Sequence, residues 1–367
     1  MRSAVLREYG ELLSLEDVEI NGLRPDEVLV RIVGSGICHT DTTAMKGAMP
    51  LPLPAVYGHE GSGVVEAVGD EVTDLGIGDH VVLSFDSCGT CATCAAGHRV
   101  YCPQAAALNY YGSRLDGTAT MRQGADAVHG NWFGQSSFGT HAIASPRNAV
   151  KVDKDLPLAM LGPLGCGLQT GAGTVLNVLR PQPGQSIGVW GTGTVGLAAV
   201  MAAKAAGCTT IIAVDMNIDR LSLARELGAT HVFEATSHPN LIGDIVELTG
   251  GLDYTVEAVG LGSVIRQALE TLRAPGTCAT VGLQGLKNEI TIDQGHLLFG
   301  RTLTGVLEGD TDPHRSIPEM IALWRDDKFP FEKLIQTFPL EKINEAIESF
   351  NAGSVIKPVL LTETEEA

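Results

Sequence analysis

Cys88, Cys91, Cys94 and Cys102 stand in the pattern C-x2-C-x2-C-x7-C, in a stretch that also holds Gly89 and Gly97. Four thiolates this close in sequence can surround Zn²⁺ tetrahedrally, and a closed set of four sulfurs makes a structural site. Such a metal would stand in for the hydrophobic core that this loop lacks. An iron–sulfur cluster is a rival reading, suggested by Cys102-Pro103. The bacterial ferredoxin run has three residues before its last cysteine, whereas seven stand here. Three more residues, Cys38 in GSGICHTD, His59 in YGHEG and Cys166 in LGCG, lie close to glycines. Each alone reads as an ordinary packed cysteine or a hydrogen-bonded histidine. Together they make Cys₂His, the three-ligand set of a catalytic zinc with one open position. Zn²⁺ with two thiolates and a neutral imidazole has no net charge, so the set can take a neutral alcohol and lower its pKa. Asp41, three residues after Cys38, is a candidate to orient His59, and otherwise a turn or cap residue. Glu60 reads as a polar partner behind the metal and occasional ligand, or else as a solvated surface acid.

A second chemistry is written at Gly191-Thr-Gly193-Thr-Val-Gly196, which matches G-x-G-x-x-G. The motif alone is weak, but here it follows the apolar run Ser186–Trp190 and opens a helical stretch, the context that dinucleotide binding requires. The glycines allow a tight turn and let a pyrophosphate approach the helix N-terminus. Asp215 ends the next apolar run, 24 residues after Gly191. A carboxylate there would accept from the ribose 2′-OH and repel a 2′-phosphate, which favours NAD over NADP. Arg220 could touch the same ribose, or be a solvated helix residue.

Positioning these groups calls for two kinds of scaffold. The first ~150 residues read as β-rich, with strands at Glu27–Val33, Gly63–Val68 and His80–Ser84 bounded by Gly, Asp and Pro. From about Leu168 strands and helices alternate, the signature of a parallel α/β sheet. Strands are expected at Ser186–Trp190, Thr210–Val214, Asp253–Ala258, Ala279–Leu283 and Thr302–Val306, and helices at Val195–Ala206 and Asn217–Leu227. Helices near Ser316–Trp324 and Leu340–Asn351 precede a final strand, Lys357–Leu361, expected to rejoin the first domain.

Length and composition agree with this plan. A chain of 367 residues with 44% hydrophobic and 19% charged residues has room for two globular domains. The 25 Lys+Arg against 43 Asp+Glu give a net charge of −18, which disfavours nucleic acid or an anionic membrane as partner. The opening MRSAVLREYGELLSLEDVEI has no apolar core of a signal peptide, and the most apolar stretch, Ile187–Ala203, is broken by glycines. A cytoplasmic place is expected, where the eight cysteines serve as metal ligands or core residues, not as disulfides. An acidic tail, Glu363–Ala367, closes the chain.

Cys38, GHE at Gly58–Glu60, the four-cysteine loop, LGCG around Cys166 and GTGTVG follow one another in the order found in zinc-dependent medium-chain alcohol dehydrogenases. The chain resembles that family over essentially its whole length, and within it most resembles bacterial aryl (benzyl) alcohol dehydrogenases. The resemblance implies an α/β protein: a GroES-like catalytic domain, residues 1–168 and 308–367, and a doubly wound Rossmann domain for NAD, residues 169–307. It implies two Zn²⁺ per chain and a homodimer or homotetramer joined through the Rossmann sheets. By position, Thr40 matches the hydroxyl that takes the alcohol proton, and His39 and Lys357 match contacts to the cofactor pyrophosphate. Lys357 stands where many relatives have Arg, giving a point charge in place of a fork. Ser84, Trp132, Phe133 and Leu283 match substrate-pocket positions, though the apolar three also read as plain core. Two departures stand out. Thr43 replaces a His that passes the proton to solvent in many relatives, and Ser84 replaces a bulky aromatic, which would widen the pocket.

The implied activity is reversible oxidation of a primary aromatic or allylic alcohol to its aldehyde by NAD⁺. Alternatives are a short-chain aliphatic alcohol dehydrogenase, the glutathione-dependent formaldehyde dehydrogenase branch, and a non-catalytic zinc or nucleotide-binding protein. The formaldehyde branch needs cationic groups that the Trp132–Phe133 pair does not supply. A non-catalytic relative would be expected to lose one of Cys38, His59 or Cys166, and all three are present.

Overall fold

The computed structural model describes residues 1–285 and 287–362, so the acidic tail Glu363–Ala367 lies outside the described residues. The chain divides into two compact units. One comprises Met1–Cys166, Asp312–Pro318 and Glu332–Ala367, the other Gly167–Thr311 and Glu319–Phe331. The first boundary thus falls two residues before the expected one. The stretches 308–311 and 319–331, expected in the catalytic domain, group with the second unit.

The first unit is built on an antiparallel sheet whose main path runs Ala149–Val152, His80–Leu83, Glu60–Val68, Val28–Gly36, Lys357–Leu361 and Ile335–Pro339. Only the last two of these pair in parallel. Val28–Gly36 alternates buried and half-buried side chains before its fully buried end, as a sheet with one covered face should. The C-terminal strand Lys357–Leu361 returns to this sheet, pairing Val359 with Gly36. Its first residue is thereby set beside the end of the strand that leads into Cys38. The short helix His39–Met45 starts there, because Asp41 reaches back to accept the Cys38 backbone N–H at 3.1 Å.

The second unit is a six-stranded, wholly parallel sheet. Its order is His231–Glu234, Thr210–Asp215, Ser186–Trp190, Leu252–Glu257, Leu272–Thr280, Thr302–Gly305. Numbered along the chain this is 3-2-1-4-5-6, the Rossmann arrangement, with the binding crevice expected where the order reverses beside the first strand. The helix Thr194–Ala205 follows that strand with every residue from Gly196 to Ala203 buried, hence its Ala-rich, featureless sequence. One strand departs from the sequence reading. It runs Leu272–Thr280, not Ala279–Leu283, because Ala274-Pro275-Gly276 reads as a break while Thr277–Thr280 stays in register with Tyr254–Glu257. No helix among the described residues is long and apolar enough to cross a membrane.

Candidate active site

Cys38, His59, Glu60 and Cys166 bring one ligand atom each to within 4.8 Å of one another, in the first unit. Cys38 lies just beyond the end of Val28–Gly36 and His59 just before the start of the neighbouring strand Glu60–Val68; Cys166 arrives on the turn after Gly162–Gly165. His59 is fully buried, and its Nδ1 lies 2.7 Å from Asp41 Oδ1. A carboxylate only accepts, so Nδ1 carries the proton and Nε2, 3.2 Å from Cys166 Sγ, is the ligand atom. The electrostatics favour a cation. The hydrogen bond from Cys166, with His59 and Lys357 nearby, holds the Cys38 thiol well below its usual range despite burial. Burial works against a charged His59, but Asp41 and Cys38 outweigh it and hold the imidazole well above its usual value.

Glu60 is no surface acid. It is fully buried, and Lys357 Nζ donates to its two carboxylate oxygens at 2.9 and 2.8 Å and to the Ile37 carbonyl at 2.9 Å. Burial raises the Glu60 carboxyl and Lys357 opposes it; burial works against the charged ammonium, but Glu60 with the Cys38 and Cys166 sulfurs holds it above the usual lysine value. A Cβ on Gly36 would sit 2.0 Å from Glu60 Oε2, so a side chain there would have to displace that carboxylate from Lys357. The pyrophosphate role expected of Lys357 is not what the geometry displays: the side chain is buried and its three donors are spent inside the unit. His39, by contrast, is exposed, its ring against Phe350 at 4.2 Å. Thr40 is half-buried with Oγ1 3.7 Å from Cys38 Sγ, and Thr43 follows three residues later on the same helix.

The expected pocket residues sort differently. Ser84 is fully buried and donates its Oγ to the Gly165 carbonyl at 2.6 Å, so it braces the turn that carries Cys166. Trp132 is fully buried and gives its indole N–H to Asp41 Oδ1 at 3.0 Å. Phe133 is buried and stacks on His59, with centroids 4.3 Å apart and planes at 21°. Its φ of +52° is costly for a bulky residue, about 1–3 kcal/mol, and such strain is typically stored at functional sites. Leu283 belongs to the second unit and is 55% exposed in the loop after Leu272–Thr280. Gln135 went unread in the sequence: its amide spans Gly61 N–H at 3.0 Å, the His59 carbonyl at 2.9 Å and the Ser84 carbonyl at 3.1 Å. Nothing in its local sequence marks it; glutamine in a loop is commonplace.

The four-cysteine loop holds Cys88, Cys91, Cys94 and Cys102 as a second group of sulfurs. Cys88 and Cys94 are 4.0 Å apart, as are Cys91 and Cys102. Zn–S bonds of ~2.3 Å imply sulfur–sulfur edges of ~3.8 Å, so the set fits Zn²⁺ with little movement. Backbone N–H groups point at these sulfurs: Cys91 at Cys88, Cys94 at Cys91 and Gln104 at Cys102, all at 3.4 Å. N–H bonds from Thr90 and Cys91 bring Cys88 down to about 6, while burial pushes Cys94 up to about 12.

In the second unit Gly191 has φ +87°, and a Cβ on Gly196 would meet the Gly191 carbonyl at 1.8 Å. A Cβ on Gly193 would meet nothing within 4 Å, leaving that face of the turn open to a ligand. Asp215 Oδ2 accepts from the Thr192 backbone N–H at 2.6 Å and hydroxyl at 2.7 Å; Oδ1 accepts from Met216 and Asn217 N–H. Arg220 is half-buried in the first turn of the helix Ile218–Leu227.

Residues 24–154 match the family model of the alcohol dehydrogenase GroES-like domain, and residues 194–325 that of zinc-binding dehydrogenases. The geraniol dehydrogenase of Castellaniella defragrans is 45% identical over 363 residues, 98% of this chain and 97% of that protein. The chain belongs to the zinc-dependent medium-chain alcohol dehydrogenases. Two solved structures of this dehydrogenase family superpose closely. An alcohol dehydrogenase zinc-binding domain protein from Burkholderia ambifaria gives a TM-score of 0.96 at 46% identity, covering 99% of both chains. The benzyl alcohol dehydrogenase of Acinetobacter calcoaceticus gives 0.95 at 40% identity, again over 99% of each. The dehydrogenase is thus an oxidoreductase acting on alcohols, and a zinc and a nicotinamide dinucleotide are the groups its family uses.

Proposed function

We propose that this dehydrogenase interconverts primary aromatic or allylic alcohols and their aldehydes, with NAD⁺ as acceptor and two Zn²⁺ per chain. The reading is carried by the Cys₂His set, its buried imidazole fixed by Asp41 with Nε2 turned toward Cys166. The substrate class is supported by the two relatives named for geraniol, an allylic alcohol, and for benzyl alcohol. A zinc on Cys38, His59 and Cys166 supplies a Lewis acid for the alcohol oxygen, and NAD⁺ supplies the hydride acceptor.

The chain's own residues do the rest. Thr40 accepts the alcohol proton on a hydroxyl two residues from Cys38 and can donate its own onward. Thr43 offers no titratable group, so the proton continues through water. Asp41 holds the His59 tautomer, and Lys357 neutralises Glu60 beside the ligand set. Asp215 accepts from the ribose 2′-OH and its charge repels a 2′-phosphate. His39 is exposed, which leaves it available for the cofactor contact that its position in the family implies. The Cys88–Cys102 loop holds the second, closed zinc. The exposed Leu297, Leu298 and Phe299, just before the sheet-edge strand Thr302–Gly305, support assembly into a dimer or tetramer through that edge. Eight cysteines without a disulfide suit the cytoplasm.

Elemental analysis together with a substrate panel tests this reading. Two zinc ions per chain are expected, with brief chelation removing one of them and the activity before the fold is lost. Benzyl, cinnamyl and geranyl alcohols should give higher kcat/KM than ethanol. One zinc, bound iron, or a preference for ethanol would overturn it.

A further inference from the structure

The loop Asn131–Ser136 grips the Asp41–His59 pair from three sides. Asp41 Oδ1 accepts hydrogen bonds from His59 Nδ1–H at 2.7 Å, the Gly58 N–H at 3.2 Å and the Trp132 indole N–H at 3.0 Å. Phe133 covers the imidazole face, and Gln135 holds the His59 carbonyl. The loop adopts a shape that side chains resist: Asn131, Phe133 and Ser136 have φ of +63°, +52° and +58°. That shape is pinned by many bonds. The Trp132 backbone N–H donates to Ser136 Oγ at 2.9 Å, Ser136 Oγ donates to the Val56 carbonyl at 2.7 Å, and the Asn148 amide donates to the carbonyls of Phe133 and Gly134.

A buried indole needs an acceptor for its N–H, and most find a backbone carbonyl or water. Trp132 instead shares the very oxygen that orients His59. The Cys38 N–H on Oδ2 fixes one end of the carboxylate. The indole and the Gly58 N–H hold the other oxygen, the one that accepts from Nδ1. We propose that Trp132 is a positioning residue for the metal centre: its indole N–H locks the Asp41 carboxylate and, through it, the His59 ring, slowing zinc loss from the open site. The proposal rests on the reading that Cys38, His59 and Cys166 hold zinc.

Trp132→Phe keeps an aromatic ring in the core and deletes the donor. Zinc release from the purified holoprotein into a chromogenic chelator should be about tenfold faster from the open site, the low end for residues that support metal ligands from behind. Release from the four-cysteine site should be unchanged. With Co²⁺ in the open site, the visible ligand-field bands should shift as the imidazole bond loosens. Wild-type release rates with a wild-type cobalt spectrum, and a Tm lowered equally with and without zinc, would show a packing role only and overturn the proposal. Should Trp132→Phe fail to fold, ¹⁵N-indole labelling of the wild type decides. Of its three tryptophan N–H signals, one should move when the labile zinc is removed, and none moving overturns the proposal. A wild type without a labile zinc refutes the zinc reading itself, and the proposal with it.

Discussion

Replacing Lys357 by Met separates two roles that position alone cannot. If the lysine mainly serves a cofactor phosphate, its loss weakens NAD⁺ and leaves the fold intact. The structure argues otherwise. Lys357 Nζ lies 2.9 and 2.8 Å from the Glu60 oxygens, with side-chain exposures of 2% and 0%. Methionine fills nearly the same volume, so packing is kept while Glu60 becomes a buried carboxylate without its partner. Removing one member of a buried ion pair costs about 3–5 kcal/mol, because the surviving charge keeps its desolvation penalty. The cost falls on the first unit, roughly 200 residues. At about 2–4 °C per kcal/mol for that size, a loss of about 4 kcal/mol lowers Tm by about 8–16 °C. Calorimetry of the zinc-loaded protein at neutral pH, without cofactor, reads this directly. Adding Glu60→Gln should recover a large part of the loss, since the stranded charge is then gone. An unchanged Tm in Lys357→Met, together with tenfold weaker NAD⁺, would refute the reasoning and return Lys357 to the cofactor.

Three further outcomes follow from the same geometry. Asp215→Ala should lower kcat/KM for NAD⁺ about 10–100-fold, as expected for a hydrogen bond to a charged group, and narrow the gap to NADP⁺; an unchanged preference contradicts the role of Asp215. Thr40→Ala should cut kcat and kcat/KM together by about 10²–10⁴-fold, and Thr40→Ser far less. Single-turnover NADH formation checks this, and a wild-type rate in Thr40→Ala makes the hydroxyl structural. Gly196→Ala should abolish NAD⁺ binding in a fluorescence titration while leaving the zinc content intact, because its Cβ would meet the Gly191 carbonyl at 1.8 Å.

What could be read from the sequence was what local rules govern. The cysteine loop and the glycine turn each lie within one short segment, where spacing fixes geometry. The strands Ser186–Trp190 and Lys357–Leu361 carry apolar runs that fit nothing else, and both stand where the sequence placed them. The strand Leu272–Thr280 escapes a local reading because its proline and glycine obey local rules while its pairing with Tyr254–Glu257 obeys a distant one. Errors of role follow the same logic. Trp132 and Asp41 are 91 residues apart, Lys357 and Glu60 297, and no window of sequence contains either bond. A tryptophan beside a phenylalanine reads as pocket or core, and Lys357 reads, by its position, as a contact to the cofactor pyrophosphate. What decides each is which buried partner must be satisfied, and that partner is supplied by another part of the chain. The three non-glycine residues forced to positive φ between Asn131 and Ser136 make the same point. Their local preference is overruled where the loop meets His59, so the conflict between sequence preference and structure marks the functional site.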